Sequence, residues 1–596
     1  MCGIAAIISF NGRIAPAEIS AFNSALQHRG PDDTGIFVAN CDDYSIALGH
    51  VRLAVIDTSQ RGHQPMGLAG NDRTAAIFTT DKELDQADLI IAYNGEIYNF
   101  STLRDSLSQL GWTFQSGTDT EVLLKGYAEW GAELPGRLIG MYAFVIYDRA
   151  NRQLVSYRDY PGVKPLYVYK GDDRIYLASE LKAFADFDLP TDDARVREFY
   201  ASKYIEFESM HAEVRCLPAG GRLQIDLSTR KLTQDTHSSL RTIFSPTAYR
   251  TRAAKTERQL VDDLDGLLGE VVDDQMVADV PVGTICSGGI DSSLVTAIAR
   301  KSHPGLKIFS LDVKGTSEIE QARQVAHHLD LELIEIPFEK NDFDQLVDIS
   351  AYFKDTPLIH PNSIAILKLS RIIKAHQVKV ILSGEGADEV FGGYQKYIDY
   401  NRVLWLRRIL PKLNKSLIPL IGDDNTVRML VDDEISPDDL WRIWPTGDTR
   451  GDLQEWLRAH YLESGESSRG AEMGSFIAKD VQYYLNPLLR RADRMTMAVG
   501  IEGRVPMLDQ RIIEFGINLP TKYKVQFMRG GKYLLKKVAE RYLPKNIVWR
   551  TKKGLPIPVA DWTGIRSKVQ QKSFFLDLWQ QNRARQGGRI GENCDR

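Results

Sequence analysis

VPVGTICSGGIDSSLVTAIARKS, residues 280–302, decides the architecture of the C-terminal half of this chain. The stretch opens as a strand of β-branched and small residues and closes on LVTAIARKS, whose apolar residues recur at helical spacing; SGGIDSS, Ser287 to Ser293, joins the two. A strand that turns through small residues into a helix gathers backbone N–H groups at the helix's positive end, so this loop is built to hold an anion. The alternation recurs in LKIFSLDV followed by EIEQARQVAHHL, residues 306–329, and in VKVILS leading into the glycine-acid loop SGEGADEVFGGY, residues 378–394. Strand and helix in repeated alternation predict a parallel sheet with helices on its faces and a ligand site at the carboxyl ends of its strands. From Tyr397 to about Leu543 the pattern is mostly helical, an extension of that domain.

Upstream the pattern differs. Short β-like runs, Gly3 to Ser9, Ser45 to Leu48, Leu89 to Tyr93, Ala143 to Tyr147, Leu154 to Tyr157, Ile175 to Ala178 and Arg222 to Ile225, are separated by turns rich in Gly, Asn and Asp. Helical patterns at Ala17 to Leu26 and Thr118 to Trp130 interrupt them, which predicts sheets covered by helices. A chain of 596 residues exceeds the roughly 100 to 200 of one ordinary domain. The expected division is a first domain over 1–232, a polar linker over 233–256, a second domain over 257–579, and a polar, frayed tail over 580–596.

The composition, 43% hydrophobic and 26% charged with a net charge of −5, is that of a globular protein and gives no reason to expect nucleic acid or an anionic membrane as partner. No apolar run approaches the roughly 18 residues of a membrane span, and MCGIAAIISFNG lacks the basic leader of a signal peptide. Five scattered cysteines without CxxC spacing suit a reducing compartment. A cytoplasmic setting is expected.

Cys2 follows the initiator methionine, whose removal would leave a thiol and a free α-amine on one residue. An α-amine with a pKa of about 8 can take the thiol proton itself or through a water. An isolated cysteine is more simply a small apolar residue opening a strand, but this one keeps company with HRGPDDTG at 28–35, GHVRLAVID at 49–57, YNGEIYN at 93–99 and SGTDTE at 116–121. With these motifs the segment resembles the glutaminase domain of class II, N-terminal-nucleophile amidotransferases, in the version found in asparagine synthetases; the similarity continues through RDYPGVKPLY and ASELKAF, residues 158–167 and 178–184. The resemblance implies that Cys2 attacks the glutamine amide and that the Asn94 side chain and Gly95 N–H form an oxyanion hole. It further implies that Arg52 grips the glutamine carboxylate, and that Asp119 and Glu96 hold its ammonium. For Glu96 a plain ion pair or turn position is the competing reading.

SGGIDSS carries no GxxxxGK[ST], so it is not the loop of enzymes that transfer a γ-phosphate. It resembles the pyrophosphate loop of enzymes that cleave ATP to AMP and pyrophosphate. That resemblance places ATP on Ser287, Gly288, Gly289, Asp291, Ser292, Ser293, Ser383 and Gly384, and the adenine against the strand Ile308 to Val313 at Leu311. It makes Asp291 and Asp388 ligands of Mg2+, an oxygen-seeking ion that bridges carboxylates and phosphates. Glu385 becomes the group that takes a proton from attacking ammonia or polarises the intermediate, and Lys552 in RTKKGLPIP, residues 550–558, neutralises phosphate charge. Arg504, in GIEGRVPMLD at 500–509, is read as structural or phosphate-supporting. The implied fold is mixed α/β and α+β in two domains: an N-terminal αββα sandwich of Ntn-hydrolase type and a C-terminal parallel-sheet α/β ATP-pyrophosphatase domain with a helical extension.

The partners so implied are glutamine, ATP and a carboxylate acceptor, with a homodimer possible because family members are often dimers. The acceptor is less determined. In one branch of the family a threonine-threonine-x-arginine pattern holds aspartate; KDTPLIHPNSIAILKLSR, residues 354–371, has Ile359 and Asn362 where that pattern would fall. Aspartate is the expected acceptor and a uronic acid of surface sugars the alternative. A silent homologue serving as a scaffold is disfavoured because Cys2, Asp291 and Glu385 are all present. Lys354 and His360 could touch an acceptor, or be an ordinary lysine and loop histidine.

Overall fold

A computed structural model describes residues 2–70, 72–201, 209–314, 318–409, 451–551, 554 and 556–586. Two antiparallel sheets face each other in the N-terminal half. In the six-stranded sheet the order is Val214–Cys216, Tyr167–Lys170, Arg174–Ala178, Gly3–Ser9, Ser45–Arg52, Asp33–Asn40. In the seven-stranded sheet it is Lys231–Thr236, Gly221–Asp226, Gln153–Arg158, Gly140–Asp148, Leu89–Ile97, Met66–Leu68, Ile77–Phe78. Alternate residues of the central strands explain the layering. Ile4, Ala6 and Ile8 turn toward Ala92, Ala143 and Val145 between the sheets, while Ala5 and Ile7 turn outward beneath helix Pro16–Leu26. Helix Asp119–Trp130 covers the other sheet, where Val122 and Leu123 pack against Ile91 and Phe144. The αββα order follows from strands that are buried on both faces.

The C-terminal sheet is parallel, ordered Leu333–Phe338, Lys307–Val313, Val282–Ile285, Val380–Leu382, Glu502–Arg504. The chain leaves Val282–Ile285 in one direction and returns on its other side at Val380–Leu382, so the crevice between these two carboxyl ends is the switch point where such sheets bind ligands. SGGIDSS and SGEGADE both emerge there. Two strands escape the sequence pattern: Leu333–Phe338, which follows a helix without a turn signal, and Glu502–Arg504, three residues whose buried charges pair with each other (Arg504 Nε to Glu502, 2.6 Å).

Three expected boundaries are corrected. The strand Lys231–Thr236 pairs along its whole length with Gly221–Asp226, so the first domain runs past 232 to 236. The supposed linker is part of the second body: helices Leu240–Ile243 and Pro246–Ala254 bury Leu240, Ile243, Phe244 and Tyr249 in the larger C-terminal core, and Asn518 accepts from Ser245 N at 2.8 Å and donates to Ile243 O at 3.1 Å. The tail is ordered through its first seven residues, because helix Lys568–Gln586 continues to 586 with Asn582 buried against Asp348 O; residues 587–596 lie outside the described ones.

The two bodies meet through buried charge. Arg29, of the first, donates to Glu180 at 2.5 Å and to both carboxylate oxygens of Asp493 at 2.9 and 3.2 Å; Asp493 lies on helix Leu485–Met497 of the second. Arg494 contacts Glu180 at 3.2 Å and Asp355 at 3.4 Å, and Lys182 reaches Asp355 at 2.8 Å as well as pairing with Glu180. Burial alone would raise the Glu180 carboxyl, but Arg494, Lys182, His28 and Arg29 hold it well below the usual range, and Asp493 is likewise lowered by Arg29 and Lys164. Carboxyls lowered on folding stabilise the protein above their unfolded pKa of about 4 and cease to do so as acid protonates them. Thermal unfolding followed by circular dichroism is therefore expected to shift to lower temperature between about pH 5 and pH 3. Glu180→Gln, which strips several buried cations of a shared anion at a cost of about 3–5 kcal/mol, should unfold at lower temperature at pH 7 and respond less steeply to acid.

Candidate active site

Cys2, Arg52, Gly95, Glu96 and Asp119 come together around one cleft, joined by Gln64, Tyr93 and Thr120, which sequence reasoning missed. Strand pairing accounts for the convergence. Cys2 precedes the strand Gly3–Ser9, Arg52 ends the neighbouring strand, and Asn94 to Glu96 close the facing sheet's strand Leu89–Ile97. Asn94 accepts from Cys2 N through Oδ1 at 3.0 Å, and its Nδ2 is buried without a hydrogen-bond partner. An orphaned buried donor costs about 1–3 kcal/mol, a cost that an oxyanion at this position would relieve. A side chain on Gly95 would come within 2.1 Å of Met141 O, so the strand can turn here only as glycine.

Arg52 is fixed by carbonyls of the 56–59 loop, among them Ser59 O at 2.8 Å. Asp119 starts helix Asp119–Trp130 and accepts from Tyr93 Oη at 2.8 Å and Ile97 N at 3.1 Å. Burial, with Glu502 and Asp119 nearby, pushes the Glu96 carboxyl far above its ordinary range despite Arg504 at 3.8 Å. Burial also pushes the Cys2 thiol up, so a thiolate does not stand ready and a base is needed.

At the switch point the two loops touch: a Cβ on Gly384 would lie 2.4 Å from Ser292 N. Ser287 N and Oγ both meet Ser292 Oγ, at 3.1 and 3.0 Å, closing the first loop on itself, and Gly289 caps helix Ile290–Ser302. Ser293 is not presented to this loop's mouth; it is wholly buried against Cys286, and its N–H is spent on Gly289 O at 3.0 Å. Leu311 lies on the adjoining strand. Asp291 and Asp388, in the first turns of helices Ile290–Ser302 and Ala387–Phe391, converge on one ammonium, Lys532 Nζ, at 2.5 and 2.7 Å. These two anions outweigh the effect of burial and hold Lys532 above its usual pKa.

Lys532 was missed in the sequence, where it follows Gly530 and Gly531 and nothing beside it points to two acids. Lys552, the cation expected there, lies outside the described residues. Glu385 pairs with Arg491, which also donates to Asn362 at 3.2 Å; Glu385 Oε2 and Arg491 Nε are buried without hydrogen-bond partners. Arg504 is structural, bound to Glu502 and to the carbonyls of Gln275 and Val277. Among the described residues no group of three or more acids, histidines or cysteines could cage a metal. Asp291 and Asp388, two carboxylates on facing segments, are an oxygen donor set that suits Mg2+ held jointly with phosphates.

A family model described as asparagine synthase matches residues 263–588, over half of the chain, and one described as a glutamine amidotransferase domain matches 1–236. The chain belongs to the asparagine synthase family. It is 31% identical to glutamine-hydrolyzing asparagine synthetase 1 of Bacillus subtilis over 94% of this chain and 88% of that protein. To a putative asparagine synthetase 2 of Methanocaldococcus jannaschii it is 35% identical, covering 72% and 83%. Against asparagine synthetase B of Escherichia coli the identity is 26%, covering 88% and 76%. This asparagine synthase-family chain is accordingly a ligase, a glutamine-hydrolysing amidotransferase of asparagine synthetase type.

Two substitutions separate the two halves of an asparagine synthase. Asn94→Ala, which removes the orphaned donor, should lower the rate of glutamate release from glutamine about 10²–10³-fold. Lys532→Met should lower ATP-dependent pyrophosphate release by a similar factor, leaving glutamate release in the absence of ATP within about threefold.

Proposed function

We propose that this enzyme converts aspartate to asparagine in the cytoplasm, consuming glutamine and ATP and releasing glutamate, AMP and pyrophosphate. With the initiator methionine removed, the Cys2 α-amine, steadied by Asn94 Oδ1, takes the thiol proton. The sulfur attacks the glutamine amide carbon. Negative charge on the carbonyl oxygen meets Asn94 Nδ2 and Gly95 N–H, the C–N bond breaks with the proton returned to nitrogen, and water cleaves the thioester. In the other site an acceptor carboxylate oxygen attacks the α-phosphorus and pyrophosphate leaves. Ammonia then attacks the acyl carbon, Glu385 takes a proton from it, and AMP departs with the bridging oxygen. Asp291 and Asp388 would hold Mg2+, whose charge would offset that of the phosphates, while Lys532 stands between them as a fixed cation.

The observation that carries this reading is the meeting of Asp291, Asp388 and Lys532 at the switch point, beside Glu385 with its open carboxylate oxygen. Ammonia needs a dry route to that point, since in water it would be protonated. One hydrophobic cluster runs from Leu53, Val55 and Met141 of the first body into Val505, Met507 and Leu508 of the second, which supports such a route. For the acceptor, Ile359 packs toward the cluster of Phe199 and Trp579, whereas Asn362 meets Arg491 beside Glu385. A polar grip remains where the family pattern is absent.

The test is pyrophosphate release with glutamine, ATP and magnesium, offering aspartate alongside a panel of uronic acids and nucleotide-linked uronic acids. Aspartate should stimulate release, with asparagine formed in equal amount. Stimulation by a sugar acid alone would replace the acceptor and keep the chemistry; no stimulation by any of them would remove the reading.

A further inference from the structure

Arg29 is wholly buried, and its Nε donates to Cys2 O at 3.0 Å. The direction of that N–H follows from the plane of the guanidinium. Glu180 meets the group at a single nitrogen, which leaves its plane free to turn; Asp493 meets it at two, Oδ2 on Nη1 and Oδ1 on Nη2, and a two-pronged contact fixes a planar group. Asp493 belongs to the other body, on helix Leu485–Met497. Two residues earlier the same helix carries Arg491 to Glu385, and one residue later Arg494 to Glu180 and to Ser179 O at 3.1 Å. The cysteine that hydrolyses glutamine is therefore registered on the helix that also steadies the acid of the ATP site.

We propose that Asp493 is a positioning residue for Cys2: acting through Arg29, it completes the glutaminase site from the synthetase side of the interface. The inference rests on Cys2 being the nucleophile. Asp493 touches no substrate. It sets where the Cys2 backbone sits, and a displacement of about 1 Å at a reacting atom can cost about 10²-fold in rate.

Asp493→Asn in the full chain keeps the shape of the side chain and removes one anionic prong. Glutamate release without ATP should fall at least tenfold, mainly in kcat. Alkylation of Cys2 by iodoacetamide should change by a comparable factor, and MgATP affinity by equilibrium dialysis should stay within twofold. A residue that merely supported folding would move ATP affinity and the unfolding temperature together with glutamate release, and that pattern would overturn the proposal. So would glutamate release and alkylation both within twofold of the parent. Should Asp493→Asn fail to fold, Arg29→Lys, which keeps the charge and loses the fork, is expected to give the same selective loss, and an unaltered glutamate release there overturns the proposal equally. Cys2→Ala tells the two failures apart: retained glutamate release would remove the nucleophile assignment and this inference with it, whereas abolished release with an unaffected Asp493→Asn would remove this inference alone.

Discussion

The buried charges around Glu180 are the constraint on which the arrangement of this protein depends. Glu180 receives His28, Arg29 and Lys182 from its own body and Arg494 from the second, and Arg29 and Lys182 also reach Asp493 and Asp355 of the second body. Ions this deeply buried carry a desolvation cost of several kcal/mol each, recovered only when every partner is in place. An apolar interface would tolerate sliding; this one does not. The relative placement of two chemically separate sites is thereby set by geometry that has one low-energy solution.

Asp355 shows how far that constraint extends. It sits at the end of helix Lys340–Lys354, accepts from Leu181 N at 3.0 Å, and opens the segment 355–362 that ends at Asn362 beside Arg491. Its own carbonyl is held by Trp579 Nε1 at 3.0 Å, from the last helix, which also ties the first body through Lys572 to Phe199 O and Tyr200 O. Segment 355–362 is thus strung between the interface and the switch point where Arg491 meets Glu385. A difference from the aspartate pattern at Ile359 and Asn362 is read against a frame fixed at both ends.

Much of this was legible in the sequence, and the exceptions share a cause. Cys2, Arg52, Gly95, Glu96 and Asp119, singled out by local motifs, do line one cleft, and the parallel sheet was legible because apolar strands alternate with amphipathic helices. What escaped was specified by distant partners. Lys532 is defined by Asp291 and Asp388, 241 and 144 residues upstream, and nothing local marks a lysine as buried between acids. The strand Glu502–Arg504 reads as polar because its charges neutralise each other inside the protein. Helices Leu240–Ile243 and Pro246–Ala254 read as a linker because their apolar residues are few, while Ser245 and Arg252 are matched to the distant Asn518 and Glu514. Ser293 fitted a loop motif, but the helix had already claimed its N–H.

The contact between Arg29 and Asp493 spans 464 residues of sequence. At synthesis rates of about 5–20 residues per second, the 257 residues between the last N-terminal strand, Lys231–Thr236, and Asp493 take roughly 13 to 50 s to make, so the N-terminal sheets can fold before the partner of Arg29 exists. During that interval the nascent chain has its thiol but lacks the contact that sets it in place. On the placement of Cys2 proposed above, glutamine hydrolysis by the N-terminal body would wait on the far end of the chain being made.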